Sequence, residues 1–159
     1  VALRLYDRFP KMGRGVPAAE GFVRIRGTMK PVFQTRFGKQ GNCLAACVAS
    51  ILEVELEVVD FSCFDHPPDK WFDLFNEKLV KIGYGLLELA PRWVGFLPVT
   101  GHWIATGPSL RQDGNHSVVC LSDGLFPLTR KIPFNVVHDP HPDSQGIKDL
   151  SARSYLVRL

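Results

Sequence analysis

With 159 residues, 45% of them hydrophobic, the chain is long enough for one compact domain with a real core and too apolar for a disordered segment. A formal net charge of only +3 excludes a nucleic-acid footprint, and no run approaches the roughly 18 apolar residues of a membrane span. The four cysteines, at 43, 47, 63 and 120, lack paired spacing, so a disulfide framework is not expected and a reducing, cytoplasmic setting fits.

Residues 1–39 are basic and rich in turn formers such as Pro10, Gly13, Gly15, Pro17 and Gly27. They read as a loop-rich leader with a short strand at Phe22–Arg26, and the scattered Lys and Arg read as a solvated face. The chain opens on Val without a charged-then-apolar secretory leader, which fits a trimmed or processed piece and leaves a leaderless route of secretion open. Residues 40–159 are read as the core of a single domain.

That core opens on Gln40-Gly41-Asn42-Cys43, a polar turn that delivers a cysteine to the first position of an apolar-periodic segment. Leu44, Cys47, Val48, Ile51 and Leu52 recur at helical spacing and mark one buried face of a central helix. After a connector through Asp65-His66-Pro67-Pro68, the positions Trp71, Leu74, Phe75, Leu79 and Ile82 predict a second helix stopped by Gly83. The pattern then changes to short apolar runs at 86–89, 103–106, 117–121, 134–137 and 154–159, which predict antiparallel strands, with Ser122-Asp123-Gly124 as a turn. Helices followed by a sheet make an α+β layout in which the cysteine-bearing helix packs on an antiparallel sheet.

A thiol at a helix N-terminus is stabilised as thiolate by unpaired N–H groups and the helix dipole, and thiolate is the reactive form. Such a nucleophile needs a base, an orienter for that base and donors for an oxyanion. His116 opens a predicted strand after the polar loop Arg111-Gln112-Asp113-Gly114 and is the candidate base. Asp139 ends the next strand and is the candidate orienter, the part an aspartate plays in a triad. Gln40 and the Cys43 N–H are the candidate oxyanion donors. His102 rivals His116, since it also opens an apolar run after a glycine. Cys47, Cys63 and Cys120 sit in apolar runs and read as packing. Gly101, Gly107-Pro108 and Gly114 suggest a mobile rim before His116.

The ordered set Gln40, Cys43, His116 and Asp139 resembles the papain-like cysteine peptidase superfamily. Within it, the Gly-Asn-Cys helix start and the His138-Asp139-Pro140-His141-Pro142 segment resemble a group of small bacterial and phage papain-like proteins, and the Asp-Pro pair is similar to that of C39-type peptidases. The resemblance spans about residues 38–146. It implies a papain-like domain that attacks a peptide, isopeptide or glutamine amide bond of a protein or peptide through a thioester, as peptidase or deamidase, with no cofactor. The chain departs from papain in lacking its Cys-Gly-Ser-Cys-Trp signature, in a shorter Cys-to-His separation, and in having Asp as third member.

Two other readings are open at this stage. One is a papain-like binding or scaffolding module without turnover. The other is a metal-dependent hydrolase that uses His138, Asp139 and His141, whose side chains are close in sequence but lack a HExxH helix or a cysteine pair.

Overall fold

The computed structural model describes residues 28–61, 66–90, 100–111, 113–123 and 135–159. The predicted strand at Phe22–Arg26, the turn at Gly124 and Cys63 lie outside them. Three helices, α1 (Cys43–Leu52), α2 (Leu56–Val59) and α3 (Pro68–Lys81), precede most of the sheet, whose strands are β1 (Tyr84–Leu89), β2 (Thr100–Pro108), β3 (Asn115–Asp123), β4 (Asn135–His138) and β5 (Ala152–Arg158). The protein is therefore α+β, and every strand pairing is antiparallel.

Helix α1 is buried more completely than its periodicity predicts, because every residue from Leu44 to Ile51 is buried rather than one face. The reason is size: Ala45, Ala46, Cys47, Ala49 and Ser50 are small enough for a second layer to close over the helix. That layer is supplied by residues 28–36, which the sequence assigned to the leader. Lys30 N–H donates to Ser50 O at 3.2 Å and Val32 N–H to Ser50 Oγ at 2.9 Å. The helix ends at Glu53, whose φ of 56° puts a non-glycine residue in the left-handed C-cap position.

Helix α3 buries Phe75 and Leu79 completely and stops where expected, with Gly83 at φ 85°. The sheet order is β1-β5-β2-β3-β4, so the strand latest in sequence sits between β1 and β2. Leu86, Ile104, Val119 and Leu156 form one core with α1 and α3. Trp103, Ala105, Val118, Cys120 and Tyr155 form a second cluster with Ile147. Alternation along each strand accounts for two clusters on two faces, and β3 is apolar throughout its middle because both of its faces are covered.

Past β4 the chain runs back along β2 as a strap. Lys148 N–H donates to Pro108 O and Ser151 N–H to Thr106 O, both at 2.8 Å, and Ser109 bridges Ile147. Gly107 and Pro108 thus belong to a laced strand, and only Ser109–Gly114 is left as a loop tip, closed by the Ser109 N–H on Gly114 O at 2.9 Å. Among the described residues no helix is long and apolar enough to cross a membrane.

The strap explains one glycine. A Cβ at Gly107 would stand 1.7 Å from the Asp149 carbonyl oxygen, a backbone atom. Gly107→Ala is therefore expected to push the strap off β2 and to destabilise the protein by about 2 kcal/mol or more, read as a lowered thermal midpoint by circular dichroism. A midpoint unchanged in Gly107→Ala would contradict this packing.

Candidate active site

Cys43 is the first residue of α1, and no side chain caps that helix. Asn42, at the N-cap position, turns away instead and is fully buried. Its Oδ1 accepts the Thr35 N–H at 3.1 Å and the Arg36 N–H at 3.0 Å. Its Nδ2 donates to Thr35 Oγ1 at 3.1 Å and to Asp60 Oδ2 at 2.9 Å, while Asp60 Oδ1 holds the Arg36 guanidinium at 2.9 Å. All four hydrogen-bonding positions of the amide are used, so the turn entering α1 is pinned to residues 35–36 and to Asp60. The first-turn N–H groups are then left without a side-chain cap at the helix end that carries Cys43, where the helix dipole favours a thiolate.

The base arrives from the sheet. His116 lies near the start of β3, opposite Gly107, and is 5% exposed. Its Nε2–H donates to Asp139 Oδ1 at 2.7 Å. That bond leaves Nδ1 as the other ring nitrogen, and His116 is close enough to the Cys43 thiol to couple electrostatically with it. Asp139 follows β4 directly, and a register shift between Val119 and Cys120 adjusts that strand against β3. Its carboxylate also accepts the His141 N–H on Oδ1 and the Gly146 N–H on Oδ2, each at 2.8 Å, and Arg111 Nη1 stands 3.5 Å from Oδ2. The His141 ring lies edge-on between Phe37 and His116, with centroids 5.1 Å and 6.4 Å away.

These contacts set the protonation states. Burial raises the Cys43 pKa, but the hydrogen bond and charge of His116, with the N–H and hydroxyl of Ser117, more than offset it, so the thiol ionises below its ordinary value. For His116, burial opposes the charged ring, yet Asp139 and Cys43 raise its pKa from 6.5 to about 9. Asp139 is held well below the usual carboxylate range, since its hydrogen bonds outweigh burial. The thiol and the imidazole are shifted toward each other and both favour the ion pair. Cys47, one turn down α1, and Cys120 go the other way: burial drives the first well up and the second to about 12. They are inert thiols, as their apolar settings predict.

Three of the four candidate residues, Cys43, His116 and Asp139, are thus brought into one line. Gln40 is not in it by any hydrogen bond recorded among the described residues; it lies exposed in the 3-10 turn Gly38–Gln40. Another glutamine is buried beside the site. Gln34 is 7% exposed, its N–H donates to Pro140 O at 3.0 Å, and its Nε2 donates to the Arg36 carbonyl at 3.0 Å, which also accepts the Asn42 N–H. Gln34 sits in the stretch read as leader, and the one signal for it was a glutamine ahead of an aromatic-glycine turn. His102 pairs with Leu121, five positions along β2 from Gly107, which is about 17 Å from the base. The metal reading meets diverging side chains: His138 Nε2–H donates to Val32 O at 2.8 Å, Asp139 takes His116, and His141 Nδ1 accepts the Asp143 N–H at 3.1 Å. Among the described residues no group of three His, Cys, Asp or Glu side chains converges as a ligand set.

Compared with protein-family models, with curated proteins and with solved structures, the chain gives no significant match.

Two expectations follow from this geometry. Asn42→Ala strips the acceptor from two backbone N–H groups and a donor from Asp60, so it is expected to cost about 2–4 kcal/mol in urea unfolding and to slow alkylation of Cys43. The second concerns pH. A raised His116 pKa contributes stability that is complete below 6.5 and is lost as pH climbs to about 9. The lowered Cys43 pKa has the opposite slope, because the folded state releases that proton before the unfolded chain does. The parent protein is therefore expected to hold a flatter thermal midpoint above pH 6.5 than Cys43→Ala, in which the rising contribution is gone and only the Asp139 part of the His116 shift is left to fall. Parallel pH curves for the two proteins would refute the coupling.

Proposed function

We propose that the chain is a cysteine-dependent acyl-transfer hydrolase acting on a peptide, isopeptide or glutamine amide bond. The observation that carries this reading is the line from Cys43 Sγ through His116 to Asp139, with the Asp139 bond on Nε2 leaving Nδ1 for the thiol. In this scheme the Cys43 thiolate attacks the carbonyl carbon, and the carbonyl π electrons move onto oxygen. His116 passes its proton to the departing amine as the C–N bond breaks, leaving a thioester. Water then gives a proton to His116 and displaces the thiolate, releasing the acid. Asp139 keeps the imidazole in one tautomer and stabilises its cation throughout.

The oxyanion falls to the Cys43 N–H at the start of α1 and to Gln34, whose side-chain amide spends one hydrogen on Arg36 O and keeps a second. Gln34 takes the place given to Gln40 because it is buried between the Asp139-Pro140 turn and the entry to α1. A cysteine opening the first α-helix, with the histidine on a later antiparallel strand and the aspartate directly after the next one, supports the papain-like and C39-like resemblance. The chemistry draws on the chain's own side chains, and its partner is a protein or peptide substrate.

Iodoacetamide at neutral pH, followed by intact mass and peptide mapping, tests the reading. Cys43 is expected to be modified first, and His116→Ala to slow that modification about 100-fold. Labelling of Cys43 at the rate of an ordinary thiol, indifferent to His116, would leave a binding module as the better account. With peptides or glutamine-containing proteins as substrates, an acyl adduct on Cys43 identifies the bond attacked. Gln34→Ala is expected to lower turnover about 100-fold without slowing alkylation, and Gln40→Ala to leave both close to the parent.

A further inference from the structure

Asp139 does not need Arg111 as a hydrogen-bond donor. Its two oxygens already accept from His116 at 2.7 Å and from the His141 and Gly146 backbone at 2.8 Å each, whereas Arg111 Nη1 stands at 3.5 Å, the distance of a charge contact. Arg111 nevertheless is held in. It belongs to the Ser109–Gly114 loop tip, next to Leu110, which is half exposed, yet its own side chain is only 10% exposed. Its N–H is anchored on Ser109 Oγ at 3.1 Å, and its Nη2 is buried without a hydrogen-bond partner among the described residues. An arginine at a loop tip ordinarily snorkels to water, and burying a guanidinium is costly unless its charge is matched. What it supplies in return is charge.

We infer that Arg111 is a positioning residue for the proposed reaction: it balances Asp139, so that Cys43, His116, Asp139 and Arg111 make a row of alternating sign with no net charge. The inference rests on the Cys43–His116 ion pair of the preceding section. The titratable groups around the row are Cys43 and Cys47 from α1, His116 from β3, and Asp139 and His141 from the turn after β4, with the exposed Asp143 carboxylate 3.7 Å from the outer side of His141 and His138 at the end of β4 turned to Val32 O. Of these only Asp139 is a buried carboxylate. Without Arg111 the row would be net negative: the thiolate would be repelled, and the imidazolium would be held too firmly to give its proton to a leaving amine. Arg111 thus keeps Asp139 strong enough to orient His116 and weak enough to let it act as an acid.

The test is the pH profile of Cys43, followed by thiolate absorbance near 240 nm and by iodoacetamide rate in parent, Arg111→Gln, Arg111→Met and Arg111→Lys. Both neutral variants are expected to move the acid limb upward by about 0.5–1 pH unit, roughly three- to tenfold less thiolate on the limb, and Arg111→Lys to stay near the parent. Arg111→Met keeps an unbranched apolar stem and suits a buried site if Arg111→Gln does not fold. Limbs that coincide with the parent's while rates fall would reduce Arg111 to loop packing, as would a Lys variant that shifts like Gln, or neutral variants that all fail to fold. Failure of the enzyme reading looks different, because the parent itself would then titrate as an ordinary thiol insensitive to His116→Ala.

Discussion

The Asp139 carboxylate ties together three pieces of chain at one point: β3 through His116, the turn after β4 through the His141 and Gly146 N–H groups, and the β2–β3 loop through Arg111. Two of its donors are backbone N–H groups and a third is set by strand register, so three of its four contacts come from positions that the fold holds in place. A buried carboxylate with this many donors keeps its charge in spite of burial. The orientation of the His116 ring and the raised pKa of its imidazole both draw on that one ionised group.

The second anchor is of a different kind. Asn42 is neutral, and it works by having four hydrogen-bonding positions and four partners. It spends them on Thr35 and Arg36 ahead of α1 and on Asp60 after α2 rather than on the helix, which leaves the helix end uncapped. Carboxylate and amide together hold the two halves of the site, the nucleophile turn and the base strand, from opposite sides. Residues 32–34 close the gap, taking the His138 imidazole on Val32 O and giving the Gln34 N–H to Pro140 O.

Cys43, His116 and Asp139 were legible because each sits at a junction that local rules mark: a glycine-containing turn before an apolar helix, a polar loop before a strand, an Asp-Pro pair after one. The α+β order and the antiparallel strands were legible for the same reason, since periodicity changes from helical to alternating near Gly83. What stayed hidden depends on partners far away in sequence. Gln34 and Gln40 look alike in the chain, and only the approach of Pro140 and Arg36 buries one and leaves the other in water. Residues 28–36 looked like leader because their hydrogen bonds go to Ser50, His138 and Pro140 rather than to neighbours. Helix α2, four residues long, was too short to show a period. The all-round burial of α1 was concealed by its alanines, which are as consistent with an exposed face as with a crowded one.

The place of β5 has a consequence for how the protein is born. The sheet order puts residues 152–158 between β1 and β2, so those two strands have nothing to pair with across the gap until the latest strand has been synthesised. Helix α1 and its thiol leave the ribosome more than a hundred residues earlier, but the strands that present His116 and hold Asp139 cannot be locked into a finished sheet before Ala152–Arg158 emerges. Non-local pairing of this kind is slow and comes late. A nascent chain therefore carries Cys43 well before the five-stranded sheet behind His116 and Asp139 is complete.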